Sequence, residues 1–392
     1  LRQGGRSATA NRRARRVRSL LVISEVALTC VLLVGAGLLT RSLVELFNTD
    51  LGFEPQQAYA LRIDPAERFV SAQERIAYFD DLLDRTGRVA GVDAVGVTDV
   101  LPVSFNRRWD VEPVDRELPE GADVLPYVRV VSEGYLHALG LSLIQGRDLS
   151  PDDHPEGRPV ALVNDILAEA LWPDSDPIGR QFRTSGVELE VVGVTRGMRH
   201  LSPDQAPGPE IFLPLRQMGD FRALHLIVRS ERSQSDLSAL LTQALQSFNP
   251  DVPIGALVPI ATIVDEATSV RRLTAWMLVC FGAFTLLLAA VGLYGVIAHS
   301  VSQRRKEIGI RLALGDSPAN VRSRVLEETL RLTAVGVGVG IFAALLLSRG
   351  LFSLVYGIAT TDLVTLLSVA VVVLAIALLS GLIPAFRASW VD

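Results

Sequence analysis

The sequence has few of the residues that build disulfides and metal centres. Its two cysteines, Cys30 and Cys280, lie in apolar runs, where a thiol is typical of a small hydrophobe, and the long polar middle of the chain has none. The five histidines show neither an HExxH spacing nor a paired spacing with cysteine or carboxylate that would make a metal site. The sequence therefore predicts no disulfide in the polar middle, no metal site and no cofactor of its own.

Catalytic motifs are equally scarce. The chain has no GxxxxGK[ST] phosphate loop and no GxSxG nucleophile elbow. The glycine-rich GVGVG lies inside an apolar run with no following Lys-Ser or Lys-Thr, so Gly336 and Gly340 predict close helix packing rather than a nucleotide site. An intramembrane serine protease built on Ser380 and His299 is an alternative that only scattered residues favour. We expect no enzyme activity, and if ATP drives this protein, a partner subunit must bind it.

Long apolar runs are what the sequence has in abundance. Hydrophobic residues make up 49% of the chain, and its mean hydropathy of +0.33 is typical of a membrane component. Runs at 20–39, 274–298, 332–348 and 363–386 each approach the ~20 residues that a helix needs to cross a bilayer. We predict four transmembrane helices, the first over residues 19–40. The single charged residue in these runs is Glu25, interpreted either as a coupling or relay carboxylate or as an interfacial glutamate that reaches toward Arg16, Arg18 or a neighbouring helix.

Basic residues indicate the topology. Arginines at positions 12, 13, 15, 16 and 18 precede the first run, and a second basic group lies between the second and third runs. The positive-inside rule places both groups in the cytoplasm, which leaves residues 41–272 outside. We therefore expect a basic cytoplasmic segment over 1–18, the large outer domain over 41–272, and a membrane module over 273–388.

The outer segment is long enough to fold around a core of its own. It alternates strand-like stretches such as LEVVGV with helix-like stretches such as DLSALLTQALQSF, which indicates an α+β domain of one or two lobes. The predicted fold class is an α-helical membrane protein with four transmembrane helices and a large α+β extracytoplasmic domain inserted between helices 1 and 2.

The cytoplasmic loop over residues 302–330 is predicted to form two short helices joined by a turn, and we call it the elbow. A basic amphipathic helix over 303–314 ends at Gly315, and a second helix starts at Pro318, capped by Asp316 or Ser317. The residues alone fit two functions equally well. The elbow either lies on anionic lipid or docks a cytoplasmic partner and moves with it.

The elbow sequence RRKEIGIRLALGDSPANV resembles the signature of MacB/FtsX-type ABC transporter permeases, where it contacts the ATPase. RSLLVISEVALTCVLLVGAGLLTRSL is similar to the first membrane helix of that family, VALVNDILAEALWPDSDPIGRQFR to its outer domain, and LIPAFRAS to its closing module. LRQGGRSATANRRARRVRSLL further resembles the joint between the halves of duplicated permeases, so the chain is interpreted as a second half of one. The ATPase-coupling residues that the resemblance implies are Glu307, Ile308, Gly309, Arg311, Leu312, Leu314 and Gly315. Asp316 departs from the family pattern at the contact tip, where an acid could alter the choice of partner.

The resemblance implies a half-permease of the inner (cytoplasmic) membrane. Its expected partners are a dimeric ABC ATPase, a second half-permease in the same longer chain or a second copy, membrane lipid and a periplasmic adaptor, with no nucleic acid. The expected function couples ATP hydrolysis on the ATPase to motion of the outer domain, for export by mechanotransmission. The alternative is a non-transporting signal transducer that activates an extracytoplasmic hydrolase or other partner.

Overall fold

The computed structural model of the protein describes residues 4–47, 49–64, 71–104, 106–119, 123–203, 205–218, 224–248, 255–303, 310, 317–348 and 362–389. The chain divides into two compact units. One unit comprises the N-terminal helix and the residues from Val270 onward, and the other comprises Thr49–Ser269. Within the described ranges the helices are α1 Gly4–Phe47, α2 Ala72–Gly87, α3 Tyr135–Leu139, α4 Asp165–Leu171, α5 Gln234–Phe248, α6 Ile260–Gln303, α7 Pro318–Ser348 and α8 Leu363–Ser389.

Four of these helices are long and apolar enough to cross a membrane, which confirms the predicted number. Over the described residues the candidate spans are Ser19–Glu45, Arg272–His299, Ala319–Leu347 and Leu363–Leu382. Three of the four helices extend beyond their apolar runs: α1 starts at Gly4, α6 at Ile260 and α7 at Pro318. They extend because arginine and glutamate are good helix formers, so a charged stretch next to an apolar run does not end the helix.

The membrane unit has a core of aliphatic side chains between α1, α7 and α8, joined by residues of α6. Its buried members include Val26, Cys30, Val337 and Val373. By contrast, α6 exposes a long series of large apolar side chains, including Trp276, Phe281, Phe284, Leu287 and Val291.

The outer unit is built on one continuous sheet, ordered β11-β1-β10-β2-β4-β9-β6-β8-β7-β3, with β5 paired to β8. The strands are β1 Ala58–Ile63, β2 Ala94–Thr98, β3 Glu112–Pro113, β4 Tyr127–Val131, β5 Leu143–Gly146, β6 Val160–Asn164, β7 Gln181–Thr184, β8 Val187–Thr195, β9 Glu210–Pro214, β10 Leu224–Arg229 and β11 Val258–Pro259. The pairs β4–β9 and β6–β8 are parallel, and the other pairs are antiparallel. The predicted α+β class is confirmed.

Alternation along the strands separates two hydrophobic clusters, one on each face of this sheet. In β10, Leu226 and Val228 belong to one cluster, and Ile227, between them, belongs to the other. Helices α2, α4 and α5 cover the first face. The second face is covered by α3, by the start of α6 and by Phe53, and we call its buried residues the junction cluster.

Candidate functional site

Helix α7 packs on α1 through the two glycines of the GVGVG stretch. A methyl group at Gly336 would lie 2.7 Å from Cγ1 of Val26, and one at Gly340 would lie 2.6 Å from Cβ of Cys30 and 2.8 Å from the carbonyl oxygen of Ala27. Ordinary carbon contacts lie at about 3.5–4.0 Å, so a side chain at either position forces the two helices apart. Absence of a side chain at these two positions allows the backbones to approach.

Helix α6 contacts another stripe of α1, which the sequence did not reveal. Glu25, Thr29 and Leu33 are four residues apart on α1 and therefore share one face. Leu33 lies against Gly282, where a methyl group would be 3.0 Å from its Cδ2, and the Glu25 carboxylate lies against Gly292, where a methyl group would be 2.5 Å from Oε2. The intramembrane carboxylate thus lies at a contact between α1 and α6. The signals in the sequence that mark this contact are the glycines Gly282 and Gly292 within the second apolar run.

At its other end, α1 is joined to α8 by an ion pair. Arg41 Nη1 lies 2.5 Å from Asp362 Oδ2, and the same carboxylate accepts a hydrogen bond from the backbone N–H of Thr365 at 3.0 Å, so it caps α8. Hydrogen bonding from Thr365 and the nearby Arg41 guanidinium hold the pKa of Asp362 below its usual range, against a smaller desolvation effect. One side chain therefore both begins α8 and joins it to α1.

The predicted ATPase-coupling residues, Glu307, Ile308, Gly309, Arg311, Leu312, Leu314 and Gly315, lie outside the described residues. The structure does describe the second half of the elbow. Helix α7 starts at Pro318, and Ser317 Oγ accepts the backbone N–H of Asn320 at 3.2 Å, as expected of an N-cap. Further along, the Arg322 guanidinium lies 5.0 Å from the ring centroid of Phe386 in α8. The first turns of α7 are thereby joined to the last turns of α8.

The chain between α1 and β1 is anchored on the outer domain at several points. Phe53 is buried in the junction cluster, together with Ile260 at the start of α6. Both segments that lead to the membrane helices therefore insert into the same apolar cluster, on one face of the sheet.

Residues 49–57, between α1 and β1, are called the connecting segment. A loop after β8 also contacts this segment. The N–H of Arg199 donates to the carbonyl of Leu51 at 2.9 Å, and Arg199 Nε donates to the carbonyl of Asp50 at 3.1 Å. Gly52 has a φ of +81°, and a methyl group there would lie 2.4 Å from the carbonyl oxygen of Gly197. Only glycine fits at this contact. We call residues 196–203, which make these contacts, the latch loop.

A buried polar network lies directly behind the latch loop. Arg129 in β4, Glu210 in β9 and His200 in the latch loop have side chains that are 0%, 1% and 2% exposed. Arg129 Nε lies 3.0 Å from Glu210 Oε1, His200 Nδ1 lies 3.1 Å from the same oxygen, and Arg129 also donates to the carbonyl of Val100. Burial alone would raise the pKa of Glu210, but the positive charge of Arg129 and the adjacent His200 side chain bring it below its usual value.

Sequence reasoning missed this network, although a signal for it exists. Arg129 lies in the middle of YVRVV and Glu210 starts EIFLP, and both strands are buried along their whole length. Charged residues in fully apolar strands are seldom left unpaired. Nothing in the spacing of the five histidines sets His200 apart, although it is buried.

The fold defines a multi-pass membrane protein with one α+β domain inserted between its first two membrane helices. Residues 19–244 match the MacB-like periplasmic core domain, and residues 279–392 match the FtsX-like permease C-terminal domain. The chain belongs to the MacB/FtsX family of ABC transporter permeases. Its inserted domain lies on the periplasmic or extracellular side, and the matched regions are permease domains.

Individual relatives are distant. The chain is 26% identical over 318 residues to the macrolide export ATP-binding/permease protein MacB of Marinobacter nauticus, which covers 76% of this chain and 48% of that protein. It is 25% identical over 225 residues to the uncharacterized ABC transporter permease YknZ of Bacillus subtilis, covering 55% of each. The crystal structure of the periplasmic region of MacB from Actinobacillus actinomycetemcomitans aligns with a TM-score of 0.37 at 14% identity, over 55% of this chain and 94% of that one. The chain spans about half the length of the curated relatives it matches.

Proposed function

We propose that this chain is a permease half that converts ATP binding and hydrolysis on a separate ABC ATPase into motion of its outer domain, for export of a substrate across the envelope of the cell from the inner membrane. The observation that carries the proposal is the junction cluster, in which Phe53 and Ile260 are buried together. Because both connections to the membrane helices insert there, tilting of α1 relative to α6 acts on a single packed region of the outer domain.

The membrane helices support transmission of movement rather than a polar path for the substrate. Glu25 is the only charged residue within the four apolar runs, and a polar permeation path requires more polar groups than that. The glycine contacts, the Arg41–Asp362 pair and the Arg322–Phe386 contact join α1, α7 and α8 to one another. A displacement of the elbow is then passed to α1 through α7.

The partners follow from the same proposal. The ATPase subunit contacts the elbow, with Ile308, Leu312 and Leu314 supplying apolar area and Arg311 supplying charge. The apolar side chains that α6 exposes face lipid or a second half-permease, carried in the same longer chain or by a second copy. A periplasmic adaptor is the expected partner of the outer domain.

The proposal is tested by Leu314→Asp in the full-length protein, purified from native membranes in mild detergent and analysed by mass spectrometry for copurifying proteins. We expect an ABC ATPase with the unchanged protein, and its loss, together with loss of substrate-stimulated ATPase activity, in the variant. A matched control is Asn320→Asp, which introduces the same charge at an exposed position in the first turn of α7. Unchanged ATPase recovery and activity in Leu314→Asp contradicts the proposed contact. Absence of any ATPase from both samples favours the lipid-bound elbow and the signal-transducer function.

A further inference from the structure

The buried network of Arg129, Glu210 and His200 contains a conflict. His200 Nδ1 lies 2.9 Å from Arg129 Nη2 and 3.1 Å from Glu210 Oε1. A neutral imidazole nitrogen either carries a hydrogen or presents a lone pair. If it accepts from Arg129, its lone pair faces the carboxylate, and if it donates to Glu210, its hydrogen faces the guanidinium. The neutral histidine therefore satisfies one of these two contacts at the expense of the other.

A second arrangement of the network is available. Glu210 Oε2 and His200 Nε2 are both buried, and neither has a hydrogen-bond partner within the part of the chain that the structure describes. Arg129 and His200 both approach Oε1 of Glu210, whereas Oε2 accepts no hydrogen bond from either of them. A protonated imidazole donates from both nitrogens and accepts from neither, so it must give up the hydrogen bond from Arg129. Glu210 can then pair one oxygen with Arg129 and the other with His200.

Among the residues that the structure describes, the other charged and titratable groups around the network do not supply a second anion for His200. Those groups are Asp99, Arg107, Arg108, Tyr127 and Tyr135. Asp99 lies 2.6 Å from Arg107 and is paired with it. Tyr127 stacks on the His200 ring with centroids 4.2 Å apart, and Arg108 lies on the ring of Tyr127. Tyr135 is buried near Arg129. A proton on His200 therefore adds a second buried cation that competes with Arg129 for one carboxylate.

His200 is placed where this competition acts on the connecting segment. The neighbouring residue, Arg199, holds the carbonyls of Leu51 and Asp50, and Gly197 packs on Gly52. His200 belongs to the latch loop, and the latch loop carries the hydrogen bonds to the segment that follows α1.

We propose that His200 is a proton-operated latch. When neutral, it accepts from Arg129 and holds the latch loop on residues 50–52, and when protonated it turns to Glu210 and loosens that hold. Imidazole is the side chain that gains its charge between about pH 5 and pH 8, a range open to a domain outside the cytoplasm. The effect of the latch on transport rests on the proposed function, whereas the latch itself is a property of the outer domain.

The test is hydrogen–deuterium exchange of the full-length protein in detergent, without ATPase, at several pH values between 5 and 8 and corrected for the chemical exchange rate. We expect the protection of backbone amides around Arg199 and Leu51 against exchange to fall by at least about threefold as the pH is lowered. The uptake of one proton permits a change of at most roughly tenfold per pH unit. In His200→Asn, whose amide replaces Nδ1 without titrating, we expect protection to be independent of pH. The matched control is His154→Asn, because His154 is exposed on the same domain, and it should behave as the unchanged protein.

If the unchanged protein shows equal protection of these amides at all pH values, the proposed latch is wrong, whatever the variants show. A pH response that persists in His200→Asn also overturns it, since another group then titrates. If His200→Asn unfolds at neutral pH, His200→Gln supplies the same comparison. Because no ATPase is present, these outcomes are independent of the Leu314→Asp experiment.

Discussion

The contact between α1 and α7 predicts a graded response to adding one methyl group along the GVGVG stretch. In Gly340→Ala the new carbon would lie 2.6 Å from Cβ of Cys30 and 2.8 Å from the backbone oxygen of Ala27. Reaching an ordinary contact of about 3.5–4.0 Å requires the helices to separate locally by about 1 Å. Such overpacking typically costs about 1–3 kcal/mol.

Gly338→Ala is the matched control, because no atom lies within 4 Å of a methyl group at that position. Both variants gain the same helix propensity, about 1 kcal/mol relative to glycine, so that this gain cancels when they are compared. The free energy of unfolding of Gly340→Ala should therefore be about 1–3 kcal/mol below that of Gly338→Ala. Gly336→Ala should fall between them, because its methyl group would meet backbone only at 3.3 Å, at the carbonyl oxygen of Ile23, whereas that of Gly340→Ala would meet backbone at 2.8 Å.

The measurement is thermal unfolding of the three variants in one detergent, followed by far-ultraviolet circular dichroism. A second readout is the rate at which Cys30 reacts with a thiol reagent in a Cys280→Ser background. Cys30 is fully buried at this contact, so separation of the helices should increase its labelling in Gly340→Ala and leave it unchanged in Gly338→Ala. Equal stability of Gly340→Ala and Gly338→Ala, with equal labelling, would refute the close approach of α1 and α7.

Three further predictions concern other contacts. Arg129→Leu removes the guanidinium that pairs with the buried Glu210 and should lower the free energy of unfolding by about 3–5 kcal/mol, most of which a second change of Glu210 to Leu should restore in chemical denaturation. Asp362→Ala should lower the melting temperature at neutral pH. The pKa of Asp362 is lowered by folding, so its contribution is present above the ordinary aspartate pKa and lost as the pH falls through the lowered value, where variant and parent should converge. Gly292→Ala should destabilise the protein relative to Gly295→Ala, since only the former methyl meets the intramembrane carboxylate, and equal melting temperatures would count against that contact.

The sequence alone determined the architecture of the membrane part. Apolar runs of about 20 residues are sufficient to predict a spanning helix, because every backbone polar group in lipid must be satisfied within the segment. The arginines before the first run and in the elbow predicted the side of each loop, and the predicted outer position of the inserted domain is confirmed. The α+β class of the inserted domain followed from alternation of strand-like and helix-like stretches, since that pattern is local.

The tertiary structure decided which residues meet across the chain. Gly336 and Gly340 were expected to pack closely, but the partner helix, and the part played by Gly282 and Gly292, depend on how α1 rotates between its neighbours. The extents of α1, α6 and α7 also exceed their apolar runs, because hydropathy detects where a helix is buried in lipid and not where it ends.

The buried network illustrates the same limit in the outer domain. The sequence places Arg129 and Glu210 in apolar strands 81 positions apart, and only the parallel pairing of β4 with β9 brings their side chains together. His200 joins them from a loop whose path no periodicity specifies. Local patterns thus determined the membrane helices, the outer position of the inserted domain and its class. The charged contacts required the strand order of the folded sheet, because the residues involved are distant in sequence and meet only through strand pairing.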